Sequence, residues 1–227
     1  MSFNDTAIES LGVDQGLRSY FSDIFLRMTF ALVLSAVAAF IGSTMPMLYA
    51  GGILTWLIIL SPLAIVLVMS FGAERLSNNA LILCFVAFAG LMGLSMGSLL
   101  LVYTGASIVT AFFVSAAVFA TFAVLGYTTR RDLTSMGSFL LVGLIGIIIA
   151  GIVNIWLALP ALAATINVLA VLIFVGLTAY DVQRLKNVYY EGGDDGKTRT
   201  LGALSLYMDF INIFINLLQL IGVKRED

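Results

Sequence analysis

Three long stretches of this chain, Met28 to Ala73, Leu76 to Thr129 and Leu133 to Tyr180, carry no charged residue. Each has room for two apolar helices of about 20 residues, the length needed to cross the hydrocarbon of a bilayer. Turn-forming interruptions divide them at Ser43 to Gly52 (with Pro46), Tyr103 to Gly105, and Asn154 to Pro160. The pattern predicts six helices: Met28 to Gly42, Ile53 to Phe71, Asn79 to Val102, Ala106 to Gly126, Gly137 to Asn154 and Ala161 to Tyr180. Leu201 to Gly222 makes a seventh. The expected fold is an all-α integral membrane protein, a seven-transmembrane-helix bundle. Residues 1–27 form an N-terminal arm, 28–222 the membrane domain and 223–227 a short tail.

The seventh stretch differs from the others. Wound as an α-helix, it places Gly202, Ser205, Asp209, Asn212, Asn216 and Gln219 within an arc of about 100°. Leu204, Met208, Ile211, Ile215 and Leu218 lie on the other side. A charge at bilayer depth costs on the order of 3 kcal/mol or more, so Asp209 must face protein or water. The last helix is therefore expected inside a bundle.

Composition agrees with a membrane class: 61% of the 227 residues are hydrophobic and 11% charged, and the mean hydropathy is +1.08. The net charge of -2 and the lack of a basic tract give no reason to expect nucleic acid or a polybasic lipid anchor. The single cysteine, Cys84, has no internal disulfide partner. With no histidine, any pH response falls to carboxylates, and no cofactor is expected. The acidic first 27 residues do not resemble a secretory leader. With a cytoplasmic N-terminus, Arg18, Arg27, Arg75, Arg130, Arg131, Arg184, Lys186, Lys197 and Arg199 all fall inside, and the three outer loops have no basic residue. This asymmetry predicts a multi-pass protein with its N-terminus in the cytoplasm. Lys224 and Arg225 break the pattern: a full seventh span puts them outside, a re-entrant segment inside.

Small residues such as Gly90, Gly93, Gly97, Ser115, Ala116, Gly143 and Gly146 are expected to allow close helix packing. Pro62 removes a backbone donor within the second span. The Glu191 to Gly196 loop, EGGDDG, lacks the ligand alternation of a calcium loop and reads as a solvated linker.

Two residues stand out for chemistry. Asp181 closes the sixth span in TAYDVQRLKN, and Asp209 lies about 12 Å into the seventh from the same side. Facing one another, they would share one proton and form a proton-sensitive latch, with a cation as a transient alternative occupant. For Asp181 the simpler reading is a helix-end ion pair with Arg184. Asn212, Asn216, Gln219 and Ser205 either line a polar path or hydrogen-bond across helices as packing contacts. Asn154 and Asn167 stand open to the same two readings.

The segments TAYDVQRLK and LYMDFINIFINLLQLIG, with FAVLG at Phe122 to Gly126 and GSFLLVGL at Gly137 to Leu144, resemble the Bax inhibitor 1 family in its bacterial branch. The resemblance implies a cytoprotective membrane protein whose seventh helix is wrapped by the other six. It further implies a pH-sensitive calcium leak in which Asp181 and Asp209 are proton sensor and gate. An arginine near the inner end of the second helix latches the sixth-helix aspartate in relatives; the nearest counterpart is Arg75, beyond the end of the span, with Arg184 as the local alternative. The acidic residue some members carry in the second helix has no counterpart between Ile53 and Phe71.

Two other classes compete. An intramembrane aspartyl protease also needs two membrane aspartates, but LYMD replaces its Gly-x-Gly-Asp, and Pro160-Ala161-Leu162 precedes both aspartates rather than following them. The expectation is therefore no enzyme. The other class is a regulatory protein that binds a membrane protease or stress-response partner. Besides lipid, calcium and protons, such a protease is the one candidate partner.

Overall fold

The structure is a computed structural model that describes residues 3–225, with side chains described from residue 15 onward. Seven helices follow in order: α1 (Phe3–Ser43), α2 (Ile53–Gly72), α3 (Asn78–Val102), α4 (Gly105–Thr128), α5 (Thr134–Leu157), α6 (Pro160–Tyr190) and α7 (Gly196–Ile221). A 3₁₀ turn (Pro46–Tyr49) sits between α1 and α2. All seven are long and apolar enough to cross a membrane, the α1 span being Gln15–Ser43. The chain is a multi-pass membrane protein built as a helical bundle.

The expected spans are all present, but three helices extend beyond them on the charged side. α1 is already helical 25 residues before Met28, because its inner turns bury Leu17, Tyr20, Phe21 and Ile24. Asp23 and Arg27 there form an i,i+4 pair at 2.9 Å. α6 continues ten residues past Tyr180, and α7 starts at Gly196 rather than Leu201. Charge marks where a helix leaves lipid, and not where it stops hydrogen-bonding its own backbone.

The start of α7 is fixed by Asp195, whose carboxylate accepts from Thr198 N (2.7 Å) while Thr198 Oγ1 accepts from Asp195 N (3.1 Å). These backbone and hydroxyl donors hold the Asp195 carboxyl below the usual carboxylate range. Asp194 pairs with Arg199 at 2.7 Å. The EGGDDG loop thus caps and pins a helix, where the sequence pattern suggested only a solvated linker.

α7 occupies the centre, packed against α1, α3, α4 and α6, while α2 lies chiefly on α3 and α5 on α6. The inner ring is thus four helices instead of six. The burial gradient follows: 61% of the apolar window of α7 is buried, against 17% for α2 and 0% for α5. Helices apolar on every side can face lipid all round, whereas only α7 carries a stripe that needs shelter.

Close approach depends on particular glycines. A Cβ at Gly93 would lie 2.7 Å from Ser35 Cα and 2.8 Å from Ala38 Cβ, so α1 and α3 touch there backbone to backbone. At Gly126 a Cβ would lie 2.9 Å from Ala179 Cα, joining α4 to α6. Gly90 and Gly146 face open space and hold no helix close. α2 runs unbroken through Pro62, because Ser61 Oγ donates to the Ile58 carbonyl (3.1 Å) that the proline leaves without its amide.

Candidate functional site

The central helix and α6 meet at the two aspartates. Asp209 lies 13 residues into α7, near its midpoint and about 20 Å along it. Its residue is only 4% exposed, and Oδ2 is buried without a hydrogen-bond partner. Asp181 on α6 is 8% exposed; its Oδ2 accepts a hydrogen bond from Ser205 Oγ, one helical turn before Asp209. Through Ser205 the Asp181 carboxyl is tied to the turn of α7 that precedes Asp209. The outward cation is Arg184, whose Nη1 lies 3.8 Å from Asp181 Oδ1 with 61% of its side chain exposed. The helix-end pair with Arg184 and the hydrogen bond from Ser205 on α7 therefore coexist at Asp181. Arg75 lies exposed in the α2–α3 turn, in no ion pair among the described residues.

Along α7 the stripe continues away from the dyad. Asn212 donates back to Met208 O and Asn216 to Asn212 O, both at 2.8 Å. Each spends one amide hydrogen on its own helix, and the Oδ1 atoms remain as acceptors along a partly exposed face. Gln219 is exposed and lines a cavity of ≈ 490 Å³ together with Ser98, Tyr103, Asn167 and Lys224. Asn154 has another role: its carbonyls end α5, accepting from Ala158 N (2.8 Å) and, through the side chain, from Leu159 N (3.1 Å). All these donors are oxygens suited to a hard cation. Among the described residues no group of three or more His, Cys, Asp or Glu is assembled.

The tail answers the question left open at the C-terminus. Val223 O accepts from Thr104 N (3.0 Å) and Arg225 N donates to Val102 O (2.9 Å). Arg225 Nε also donates to Tyr103 O (3.1 Å). α7 thus crosses the whole bundle, and Lys224 and Arg225 end beside the α3–α4 turn, away from the basic turns. The re-entrant arrangement does not occur. A guanidinium on the last carbonyls of α3 complements that helix end, which accounts for a basic residue on this face.

Several site-shaping residues were not singled out from sequence. Gln183, two residues after Asp181, accepts from Leu133 N and donates to Arg131 O, both at 2.8 Å, clamping the α4–α5 turn to α6. Tyr207, two residues before Asp209, is fully buried, and its hydroxyl lies 2.7 Å from Ser35 Oγ, which also contacts Ala89 O at 2.7 Å. That contact ties α7, α1 and α3 together. On the basic face Arg199 reaches Asp23 (3.3 Å) and Arg27 donates to Thr200 Oγ1 (2.6 Å). The i,i+4 spacing of Asp23 and Arg27 was a readable signal for the last group; nothing in the sequence pairs Ser35 with Tyr207.

The sequence pattern of the family described as "Inhibitor of apoptosis-promoting Bax1" matches residues 17–226. An uncharacterised protein of Caulobacter vibrioides is 40% identical over 232 residues, covering 95% of this chain and 93% of the relative. An uncharacterised protein of Rickettsia prowazekii is 38% identical over 219 residues, covering 94% and 93%. The Escherichia coli K12 protein named inner membrane protein YbhL is also 38% identical over 219 residues, covering 92% and 94%. By this full-length similarity the chain belongs to the Bax inhibitor family of multi-pass membrane proteins.

Proposed function

We propose that this protein is a pH-sensitive cation leak, with calcium as its cargo, gated by Asp181 and Asp209. The observation that carries the reading is the enclosed, unpartnered Oδ2 of Asp209 beside a second buried carboxyl at the middle of the central helix. Leaving such an atom unpaired costs about 1–3 kcal/mol, a cost a purely structural helix avoids by using an apolar residue. Asn212 and Asn216 follow Asp209 along the same helix towards Gln219, which lines an open cavity at one face, and this order supports a polar route.

The mechanism follows from charge. One proton between the two carboxyls removes their repulsion and lets α6 and α7 close on each other. Loss of that proton leaves two like charges in a confined, poorly hydrated space, which either part the helices or draw in a cation. A divalent ion neutralises both charges, and Ser205 Oγ and the amide oxygens offer further ligands. With its N-terminus in the cytoplasm, as the basic turns favour, the protein would place the dyad between the cytoplasmic face and the cavity.

The test is calcium flux into dye-loaded proteoliposomes between pH 5 and 8, for wild type, Asp209→Asn and Asp181→Asn. Each amide keeps the size and removes one ionisable site. Wild-type flux should rise with pH, and both variants should lose the pH dependence. No flux above empty liposomes from folded protein would sink the leak and leave the regulatory reading, binding of a membrane protease partner, to be tested by co-purification.

A further inference from the structure

The cavity on the tail's face has an unexpected charge for the mouth of a cation pathway. Its polar lining is the hydroxyls and neutral amides of Ser98, Tyr103, Asn167 and Gln219, set among apolar side chains, and Lys224 is the charged residue among its described lining. No described lining residue is acidic. Lys224 is held in place by its main chain: an isolated bridge pairs it with Tyr103, and Val223 N donates to Ser107 Oγ (2.9 Å). Its side chain is exposed and takes part in none of the hydrogen bonds or ion pairs among the described residues. An ammonium fixed by its backbone at a cavity mouth, with no structural task for its head group, adds to the positive potential of the Arg225 guanidinium on Tyr103 O.

We infer that Lys224 is an electrostatic sill at this mouth, one that lowers the local concentration of divalent cations and so limits the rate at which they enter the stripe of Gln219, Asn216 and Asn212. This rests on the leak proposed above, and adds to it a residue that sets rate and ionic preference at a place distinct from the dyad. Clefts lined by one sign of charge change local ion concentration by large factors. A divalent ion about 5–8 Å from one fixed unit charge in water is disfavoured by roughly three- to tenfold at low ionic strength. Neutralising Lys224 should raise entry by that factor without touching the gate.

The experiment is calcium flux in proteoliposomes at pH 8 for wild type, Lys224→Gln, Lys224→Arg and Asp209→Asn, at about 20 mM and about 500 mM of a monovalent salt. Expected is a three- to tenfold faster flux for Lys224→Gln at low salt that falls to near unity at high salt, where the Debye length is only a few ångströms. Lys224→Arg should match wild type. Because the tail is paired through its backbone, the glutamine variant keeps that pairing. Equal flux for wild type and Lys224→Gln at low salt, with wild type well above empty liposomes, overturns the sill and leaves the leak standing. An increase that ignores salt also overturns it, since a loosened tail and not a charge would then be responsible. Absence of wild-type flux overturns both.

Discussion

Gly90 and Gly93 are indistinguishable by sequence, both being small residues on one helix, yet the structure gives them opposite expected responses to a single methyl group. At Gly93 a Cβ would sit 2.7 Å from Ser35 Cα and 2.8 Å from Ala38 Cβ, whereas at Gly90 it meets nothing within 4 Å. Comfortable carbon contacts lie near 3.5–4.0 Å, so Gly93→Ala forces α1 and α3 apart by roughly 1 Å. A gap of that size forfeits about a quarter to a half of each contact's attraction, or about 1–2 kcal/mol over some twenty atom pairs. The 2.7 Å contact of Ser35 Oγ with Ala89 O lengthens with it, at about 0.6–1 kcal/mol for an interhelical hydrogen bond in a membrane. Both variants gain about 1 kcal/mol of helix propensity, which cancels between them. Gly93→Ala should therefore be less stable than Gly90→Ala by about 2–3 kcal/mol. Reversible denaturant unfolding in mixed micelles measures the difference. Two variants of equal stability within about 0.5 kcal/mol would refute the view that α1 and α3 depend on that backbone contact.

Three further expectations follow from named contacts. Asp195→Ala removes the cap of α7 and should cost about 1 kcal/mol; because the folded Asp195 carboxyl is held below its ordinary value, its stabilisation is complete at neutral pH and is lost as pH falls below about 4. An acid melting series should thus show wild type and variant converging, and a gap that persists to the lowest pH would contradict the cap. Gln183→Leu frees the α4–α5 turn, and limited trypsin digestion at the exposed Arg130 and Arg131 should accelerate roughly tenfold for two lost hydrogen bonds; unchanged digestion would show that the turn is held otherwise. In a Cys84→Ala background, Lys224→Cys and Arg131→Cys should label from opposite sides of sealed vesicles, and labelling from the same side would contradict a full seventh crossing.

The spans were legible because lipid imposes one simple requirement, long stretches without charge, and the sequence meets it from Met28 to Tyr180. Asp209 was legible for the complementary reason: a carboxylate inside such a stretch demands shelter, and only the central position supplies it. What escaped the pattern depends on contacts between segments distant in sequence. Ser35 looks like any small residue in α1 until Tyr207 and Ala89 converge on it. Gln183 looks like a helix-end polar residue until the α4–α5 turn lies across it. Lys224 and Arg225 contradicted the charge count, and the conflict resolves only through the hydrogen bonds of Val223 and Arg225 with the residues that close α3 and open α4. Asp195 and Thr198 were a readable capping pair, obscured by reading the glycine-rich loop for calcium ligands.

The same contacts decide which helix moves in the proposed gate. α7 is fastened at both ends: Arg27 donates to Thr200 (2.6 Å), Arg199 pairs with Asp23 (3.3 Å) and Lys197 donates to Glu74 O (3.2 Å) at one. The tail's pairing with Thr104 (3.0 Å) and Ser107 (2.9 Å) holds the other. The inner end of α6 is fastened elsewhere, to the α4–α5 turn through Gln183 (2.8 Å) and to Tyr127 O through Lys186 (3.0 Å). Repulsion between the dyad carboxyls should therefore shift α6, with α4 and α5, against a stationary α7, a shear of packed helices. A Cβ at Gly202 would lie 2.7 Å from Leu185 Cδ2, so Leu185→Cys with Gly202→Cys places two thiols across that seam, about one turn from Asp181 and two from Asp209. Bridging them with a short bifunctional thiol reagent, Cys84 having been replaced by Ala, should abolish the pH-stimulated calcium flux, and cleaving a reducible bridge should restore it. The same bridge between Ser107→Cys and Val223→Cys, where nothing needs to move, should leave flux intact. If bridging at 185 and 202 leaves the flux and its pH dependence unchanged, α6 does not part from α7, and the two aspartates act by some route other than separating the helices that carry them.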